Sequence, residues 1–169
     1  YDVTLVTTAD LPTHPAAKLI RVETAEEMLA AVAGVEPHVA IMAAAVADFR
    51  PKSAAESKIP RAEGLPSIEL TETPDILASV VQRHPRPFTV GFAAETGGVE
   101  RAVEKARKKD VDLLVYNDVT EPGSGFGTDT NRVVLIDRSG DTEELPLLAK
   151  SEVAERLLDR VAAAIGEQG

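Results

Sequence analysis

The residues best suited to chemistry follow a long apolar run at positions 39–47. The run does not alternate polar and apolar residues, which is typical of a strand buried on both faces of a parallel sheet. The side chains of the run become small at Ala43 and Ala44, and they leave room for a ligand close to the backbone. Ligands of open α/β sheets bind beyond the carboxyl ends of the strands. The sequence therefore predicts that residues 43–49 form the floor of a ligand site, with Asp48 as its first polar group.

Three further features of strand ends and helix starts each have two interpretations. The Asp48 carboxylate can hold a metal ion or bind a ligand amine or hydroxyl, and it can equally bond its own backbone. Phe92 can cover a nucleotide base or, as is more usual, fill the core. The segment Thr73-Pro74-Asp75 begins a predicted helix whose free N–H groups suit an anion or a sugar hydroxyl, although Asp75 would oppose an anion.

Three lysines are the cations that could bind a phosphate. Lys58 lies in the stretch 50–66, predicted to be a mobile loop, where a lysine can swing over a phosphate or simply remain solvated. Lys105 and Lys109 are four residues apart on a predicted helix and therefore share a face. They are either a clamp on a polyphosphate or cations that complement the helix macrodipole, and their spacing does not decide between the two.

Composition excludes several classes of protein. The 169-residue chain has a net charge of −10, which argues against nucleic acid as a partner, and it has no cysteine, which excludes disulfides and cysteine-based zinc sites. Three scattered histidines, at positions 14, 38 and 84, lack ligand spacing. No apolar stretch has the length of a membrane span and no signal peptide is visible, so a cytoplasmic location is expected.

Glycine motifs for nucleotide phosphates are also missing. No Gly-x-Gly-x-x-Gly follows a strand and no Walker sequence occurs, which disfavours a nicotinamide oxidoreductase and a P-loop enzyme. The glycine cluster 123–127 is not followed by a helix start, so a loop that enters a hairpin is the better interpretation.

Predicted strands and helices alternate along the chain. These elements must position the candidate ligand-binding residues. Predicted strands are Val3–Thr8, Ala17–Val22, His38–Val46, Ile68–Leu70, Pro87–Phe92 and Val111–Tyr116, followed by a hairpin of Asn131–Asp137 and Thr142–Leu145. Predicted helices begin at the capping box of Thr24 and Glu27, at Thr73, at Val99 and at Ser151. This alternation predicts one α/β domain over 1–169, with three layers, a mostly parallel sheet and a hairpin at one edge.

Several motifs, in this order, resemble one family. They are Thr24-Ala25-Glu26-Glu27-Met28, Ala43-Ala44-Ala45-Val46-Ala47-Asp48-Phe49-Arg50-Pro51, Ser57-Lys58-Ile59, Thr73-Pro74-Asp75-Ile76-Leu77, Val90-Gly91-Phe92-Ala93-Ala94-Glu95-Thr96, Asn117-Asp118-Val119 and Phe126-Gly127-Thr128-Asp129-Thr130-Asn131. Together they resemble the phosphopantothenate–cysteine ligase domain, the synthetase half of the bifunctional bacterial coenzyme A enzyme. The resemblance implies a Rossmann-like homodimer that uses CTP and a divalent cation such as Mg²⁺, in a protein where a flavin decarboxylase domain can lie upstream.

The resemblance also implies a reaction. The carboxylate of 4′-phosphopantothenate attacks the α-phosphate of CTP, releases pyrophosphate and forms an acyl-cytidylate, from which the amine of cysteine displaces CMP. Lys58 becomes the expected catalytic charge, because it would stabilise the pentavalent phosphorus. The implied nucleotide contacts are Met42, Ala43, Ala44, Asp48, Lys58, Pro74, Asp75, Ile76, Leu77, Phe92, Lys105 and Lys109, with Asp48 also a metal-ligand candidate.

Two departures from the family pattern qualify this expectation. The family usually continues Lys-Ile-Lys-Lys in the flap, whereas Pro60-Arg61 follows Lys58-Ile59 here. An upstream strand and an Asn-Arg-Ser-Ser-Gly segment have no counterpart before Tyr1, so we expect an excised piece that contacts nucleotide but turns over poorly. The alternative is a non-catalytic nucleotide-binding domain of the same fold.

Overall fold

The structure, a computed structural model, describes residues 1–53, 67–124 and 127–166. The strands are Thr4–Thr7 (β1), Lys18–Arg21 (β2), Val39–Met42 (β3), Phe49–Pro51 (β4), Leu70–Glu72 (β5), Phe88–Glu95 (β6), Leu113–Asp118 (β7), Thr130–Asn131 (β8), Val134–Asp137 (β9), Thr142–Glu144 (β10) and Leu148–Ala149 (β11). The helices are Ala25–Ala33 (α1), Ile76–Val81 (α2), Gly98–Lys109 (α3) and Lys150–Gly166 (α4). None of the helices in these ranges is both long and apolar enough to cross a membrane.

The chain divides into two compact units. The smaller unit contains Tyr1–Glu36 and Ala44–Ile76, and the larger contains Pro37–Ala43 and the chain from Leu77 onwards. In the larger unit, five strands form a sheet in the order β10-β9-β7-β6-β3. The strands β3, β6 and β7 are parallel, whereas β9 and β10 form an antiparallel hairpin at one edge.

Two helices cover opposite faces of this sheet because the side chains of a strand alternate between faces. Leu113 and Val115 of β7 face one core cluster, which α4 completes with Val153, Leu157 and Val161. The intervening residues Leu114 and Tyr116 face a second cluster, which α3 completes with Ala102 and Ala106. The predicted three-layer α/β fold with parallel central strands and an edge hairpin is confirmed.

The smaller unit contains two pairs of strands and α1. The strands β1 and β2 are parallel, with Leu5 opposite Leu19. Thr24 and Glu27 form the predicted capping box at the start of α1, in which each side chain accepts a backbone N–H of the other residue. The short antiparallel ribbon of β4 and β5 places Phe49 and Leu70 on one face, where they are 58% and 59% exposed.

Several element boundaries differ from the predictions. The central strand ends at Met42 rather than at Val46, because the alanines that follow offer little apolar surface to bury in a sheet. Part of the predicted loop 50–66 is instead strand β4, and residues 54–66 lie outside the described residues. The first half of the predicted hairpin is divided into β8, which pairs with β11, and β9, which pairs with β10.

Asp137 closes the turn of the edge hairpin. Its carboxylate accepts hydrogen bonds from the backbone N–H groups of Ser139, Gly140 and Asp141 at 2.9–3.1 Å and from the Ser139 hydroxyl at 2.5 Å. Desolvation raises the pKa of Asp137, but these hydrogen bonds outweigh it, so the pKa lies below its ordinary value of 3.8. Gly140 has a φ of 97°, in the left-handed region that favours glycine.

Replacement of Asp137 by alanine should destabilise the fold in a pH-dependent way. At pH 7, we expect the free energy of unfolding to fall by about 1 kcal/mol or more, because several turn donors lose their acceptor. Because folding lowers the pKa of Asp137, its stabilisation is present above pH 3.8 and is lost as the pH falls through the lowered folded-state value. The stabilities of the wild type and Asp137→Ala from urea titrations should therefore approach each other as the pH falls through the lowered pKa of Asp137.

Asp141→Ala is the matched control, because Asp141 contributes its backbone N–H to the turn. It should leave the free energy of unfolding within about 0.5 kcal/mol of wild type. An Asp137→Ala loss that is the same at pH 7 and at pH 3 would contradict the role given to the carboxylate.

Candidate functional site

The predicted nucleotide contacts are divided between the two units. Ala44, Asp48, Pro74, Asp75 and Ile76 belong to the smaller unit, and Met42, Ala43, Leu77, Phe92, Lys105 and Lys109 belong to the larger. Lys58 and the Pro60-Arg61 pair lie outside the described residues. That all of these residues contact one nucleotide stays a prediction.

In the smaller unit, the alanine loop borders a cavity of about 350 Å³. The lining comes from residues 44–47, from the start of α1 and from Phe49, Arg50 and Thr73. Asp48 is exposed beside this loop, and its backbone carbonyl accepts a hydrogen bond of 2.9 Å from the Thr73 backbone N–H. The small residues therefore leave open space next to the backbone; that this space holds a ligand stays a prediction.

Charged side chains line part of this cavity. The Arg50 Nε donates to Glu26 Oε1 at 2.5 Å, and both side chains are nearly half exposed. Arg50 Nη1 makes a longer bond of 3.4 Å to the Pro51 carbonyl. Glu23, which precedes the helix cap, adds a second carboxylate to the lining. The sequence analysis did not single out Glu23, Glu26 or Arg50 individually, because only the fold brings them to one cavity.

In the larger unit, the carboxyl end of β3 lies beside the middle of β6. Met42 pairs with Gly91, and Phe92 is the next residue along β6. Phe92 is 37% exposed, so its ring does not simply fill the core. Leu77 has a different environment, since it packs against the core beneath α3, and a Cβ built on Gly91 would lie 3.4 Å from its Cδ2.

A pair of carboxylates marks the carboxyl ends of β6 and β7. Glu95 and Asp118 are the last residues of these parallel neighbours and are directly opposite in the register. Like charges at such positions repel each other. The Lys105 ammonium of α3 forms an ion pair with Glu95 and compensates this negative charge. Lys105 therefore faces the strand ends, whereas Lys109 lies in the last turn of α3 with Arg107 and Lys108, where cations complement the helix macrodipole.

Tyr116 links the start of α3 to the same strand ends. Its hydroxyl accepts a hydrogen bond of 3.1 Å from the Gly98 N–H and is hydrogen-bonded to Asp118. Burial raises the pKa of the Tyr116 phenol, the bond from Gly98 opposes this shift, and the charges of Asp118 and Glu95 raise the pKa further. Hydrogen bonds from the Thr120 hydroxyl and N–H lower the pKa of Asp118 and keep its carboxylate charged.

Asp48 is a suitable ligand for a cation that arrives with a nucleotide. Within residues 1–53, 67–124 and 127–166, no group of three or more His, Asp or Glu side chains is arranged to hold a metal ion. Mg²⁺ commonly uses only one or two carboxylates, together with substrate phosphates and water. The single exposed carboxylate of Asp48 fits that mode of binding and does not fit a cage made by the protein alone.

Tyr116→Phe should change the alkaline limit of stability. Since the folded-state pKa of Tyr116 is raised above 10.0, the folded protein holds this proton more tightly than the unfolded chain does. The contribution of Tyr116 is thus complete below pH 10 and is lost as the pH rises through the raised value. We expect thermal unfolding from pH 8 to pH 11 to show a shallower alkaline decline in Tyr116→Phe.

Tyr1→Phe is the matched control, because Tyr1 is fully exposed. It should retain the wild-type alkaline decline. Equal slopes for wild type and Tyr116→Phe would contradict the environment assigned to the buried phenol.

Comparisons with known proteins agree with the motifs and with the fold. The model of the DNA/pantothenate metabolism flavoprotein C-terminal domain matches residues 1–165. The Bacillus subtilis coenzyme A biosynthesis bifunctional protein CoaBC is 38% identical over 90% of this chain and 38% of its own length. The Escherichia coli K12 protein of the same name is 41% identical over 99% of this chain and 43% of its own length. The chain thus spans about two fifths of these relatives.

A solved structure is similar over almost the whole chain. The crystal structure of the C-terminal domain of a CoaBC protein is 36% identical and has a TM-score of 0.76, over 98% of this chain and 77% of that one. The motif order, the three-layer fold and the extent of the match lead to one assignment, which confirms the resemblance found in the sequence: the chain belongs to the family of DNA/pantothenate metabolism flavoprotein C-terminal domains.

Proposed function

We propose that this chain catalyses the CTP-dependent ligation of 4′-phosphopantothenate with L-cysteine in coenzyme A biosynthesis. Family membership over residues 1–165 is the observation that carries the proposal. The name of its relatives, coenzyme A biosynthesis bifunctional protein, supports the pathway. The motifs that resemble the ligase domain support the reaction itself.

The first step activates the carboxylate. An oxygen of the 4′-phosphopantothenate carboxylate bonds to the α-phosphorus of CTP, and the bond from that phosphorus to the bridging oxygen of the pyrophosphate breaks. Pyrophosphate leaves and an acyl-cytidylate remains. Such activation is needed because a free carboxylate is a very poor acyl donor.

The second step forms the amide. The neutral amine of cysteine bonds to the acyl carbon, the carbon–oxygen bond to CMP breaks, and the nitrogen loses a proton to solvent. The protein contributes by holding the two reactants together and by balancing the charge that develops on phosphorus and then on the acyl oxygen. Lys58 is the residue that we propose for this charge.

The described residues support a nucleotide position at the carboxyl ends of the strands. Phe92 is exposed for contact with a base, and Lys105 faces the strand ends. Asp48 would hold a divalent cation such as Mg²⁺, which neutralises phosphate charge when bound. The Lys105–Glu95 ion pair also means that a triphosphate must compete with a carboxylate for this ammonium.

We also propose that the protein acts as a cytoplasmic homodimer. The exposed apolar face of the β4–β5 ribbon supports self-association, since an isolated two-stranded ribbon is only marginally stable in water. In the longer relatives, the remaining length leaves room for a second activity, which we propose to be a flavin-dependent decarboxylase.

The release of pyrophosphate tests the proposed reaction. With CTP, Mg²⁺ and 4′-phosphopantothenate but no cysteine, the active ligase should release pyrophosphate up to one equivalent, and cysteine should then start turnover with release of CMP. We expect the 169-residue chain to turn over poorly, so if it is a piece of a longer protein, the same assay on the full-length protein is the reference. CTP binding without pyrophosphate release in both proteins would overturn the ligase proposal and favour a non-catalytic nucleotide-binding domain.

Lys105→Ala and Lys109→Ala should each weaken CTP binding. Each variant removes a cation from the proposed triphosphate site, so we expect the Kd to rise by about tenfold at low salt, with a smaller effect at high salt. Isothermal titration calorimetry on the 169-residue chain provides the measurement.

Lys108→Ala is the matched control, since Lys108 is an exposed lysine of the same helical turn. Its Kd for CTP should stay within about twofold of wild type. If the three variants bind CTP equally well, Lys105 and Lys109 serve the ion pair and the helix end rather than the nucleotide.

A further inference from the structure

We propose that the cavity of the smaller unit is the cysteine subsite, where the amino acid binds as a zwitterion. The inference rests on the proposed function, because it asks which of three substrates this cavity suits. The cavity measures about 350 Å³ and lies between the alanine loop and the start of α1. Its lining residues all belong to one compact unit.

The net charge of the cavity lining indicates which of the three substrates can bind there. CTP and 4′-phosphopantothenate are polyanions, whereas cysteine carries one ammonium and one carboxylate near neutral pH. The ionisable lining groups are Glu23, Glu26 and Arg50, so carboxylates outnumber guanidinium groups. A net negative lining repels a phosphate group, since phosphate binding needs an excess of cations or N–H donors. Cysteine is the one substrate of the three that brings a positive charge.

Arg50 is placed to bind the carboxylate of an amino acid. Its Nε is held by Glu26 at 2.5 Å, which fixes the plane of the guanidinium. Its Nη1 makes a long bond of 3.4 Å to the Pro51 carbonyl. With respect to the described residues, the Nη edge therefore retains donors for an incoming carboxylate, in the planar geometry that arginine provides. Glu26 acts here as a positioning residue for Arg50.

Glu23 and the apolar lining are suited to the two remaining groups of cysteine, its ammonium and its side chain. Glu23 is exposed and lines the same cavity, so it offers an oppositely charged contact, for the ammonium. Met28, which is buried, and the alanines 44–47 give a weakly polar surface. Such a surface suits the weakly polar thiol of cysteine.

Direct binding of cysteine tests this inference without relying on turnover. Equilibrium dialysis of the 169-residue chain with radiolabelled cysteine under reducing conditions should show saturable binding. Glu23→Gln and Arg50→Gln should each raise the Kd for cysteine by about tenfold, because each removes a charge-assisted hydrogen bond. Ala45→Leu, which fills the cavity without changing its charge, should reduce cysteine binding to a similar extent.

A control variant and the pyrophosphate assay distinguish failure of the subsite proposal from failure of the ligase proposal. Glu155→Gln, an exposed glutamate of α4 outside the cavity, should bind cysteine like wild type. Pyrophosphate release from CTP and 4′-phosphopantothenate needs no cysteine, so measuring it on the wild-type protein tests the ligase separately from the subsite. Unchanged cysteine affinity in folded Glu23→Gln and Ala45→Leu would overturn the subsite, even where pyrophosphate release supports the ligase. Cysteine binding that these variants abolish, without any pyrophosphate release, would support the subsite and refute the ligase.

Discussion

Two-sided burial of the central strands is the constraint on which the larger unit depends. Every residue from Leu113 to Tyr116 is buried, because α3 and α4 cover opposite faces of the sheet. An unpaired charge within this stretch would be strongly unfavourable. Polar groups are therefore confined to the strand ends, where Glu95 and Asp118 occur side by side. The location of the candidate site follows from the way the core is formed.

The carboxylates at the strand ends are balanced locally. Lys105 pairs with Glu95, and Tyr116 links Asp118 to the first turn of α3. These contacts connect the helix that carries the proposed phosphate-binding lysines to the ends of β6 and β7. From the sequence, Lys105 could bind a phosphate or complement the helix dipole; in the structure it instead pairs with a carboxylate of the sheet, that of Glu95. A polyphosphate ligand would have to exchange with that partner.

The sequence was sufficient to predict the elements that have a strong local signal. The capping box at Thr24 and Glu27, the helix that carries Lys105 and Lys109 and the edge hairpin depend on nearby residues, and the structure contains all three. The early end of β3 and the β4–β5 ribbon depend on distant pairing, which a local pattern does not encode. For the same reason the Glu95–Asp118 register and the grouping of Glu23 with Arg50 emerged only from the fold.

A crystal structure of the 169-residue chain with CTP and Mg²⁺ would show where the nucleotide binds. We expect the triphosphate at the carboxyl ends of β3 and β6, with an oxygen within hydrogen-bonding distance of the Lys105 ammonium and the metal ion bound to Asp48. CTP bound at the opposite ends of these strands, or a triphosphate that contacts neither Lys105 nor Lys109, would contradict this expectation.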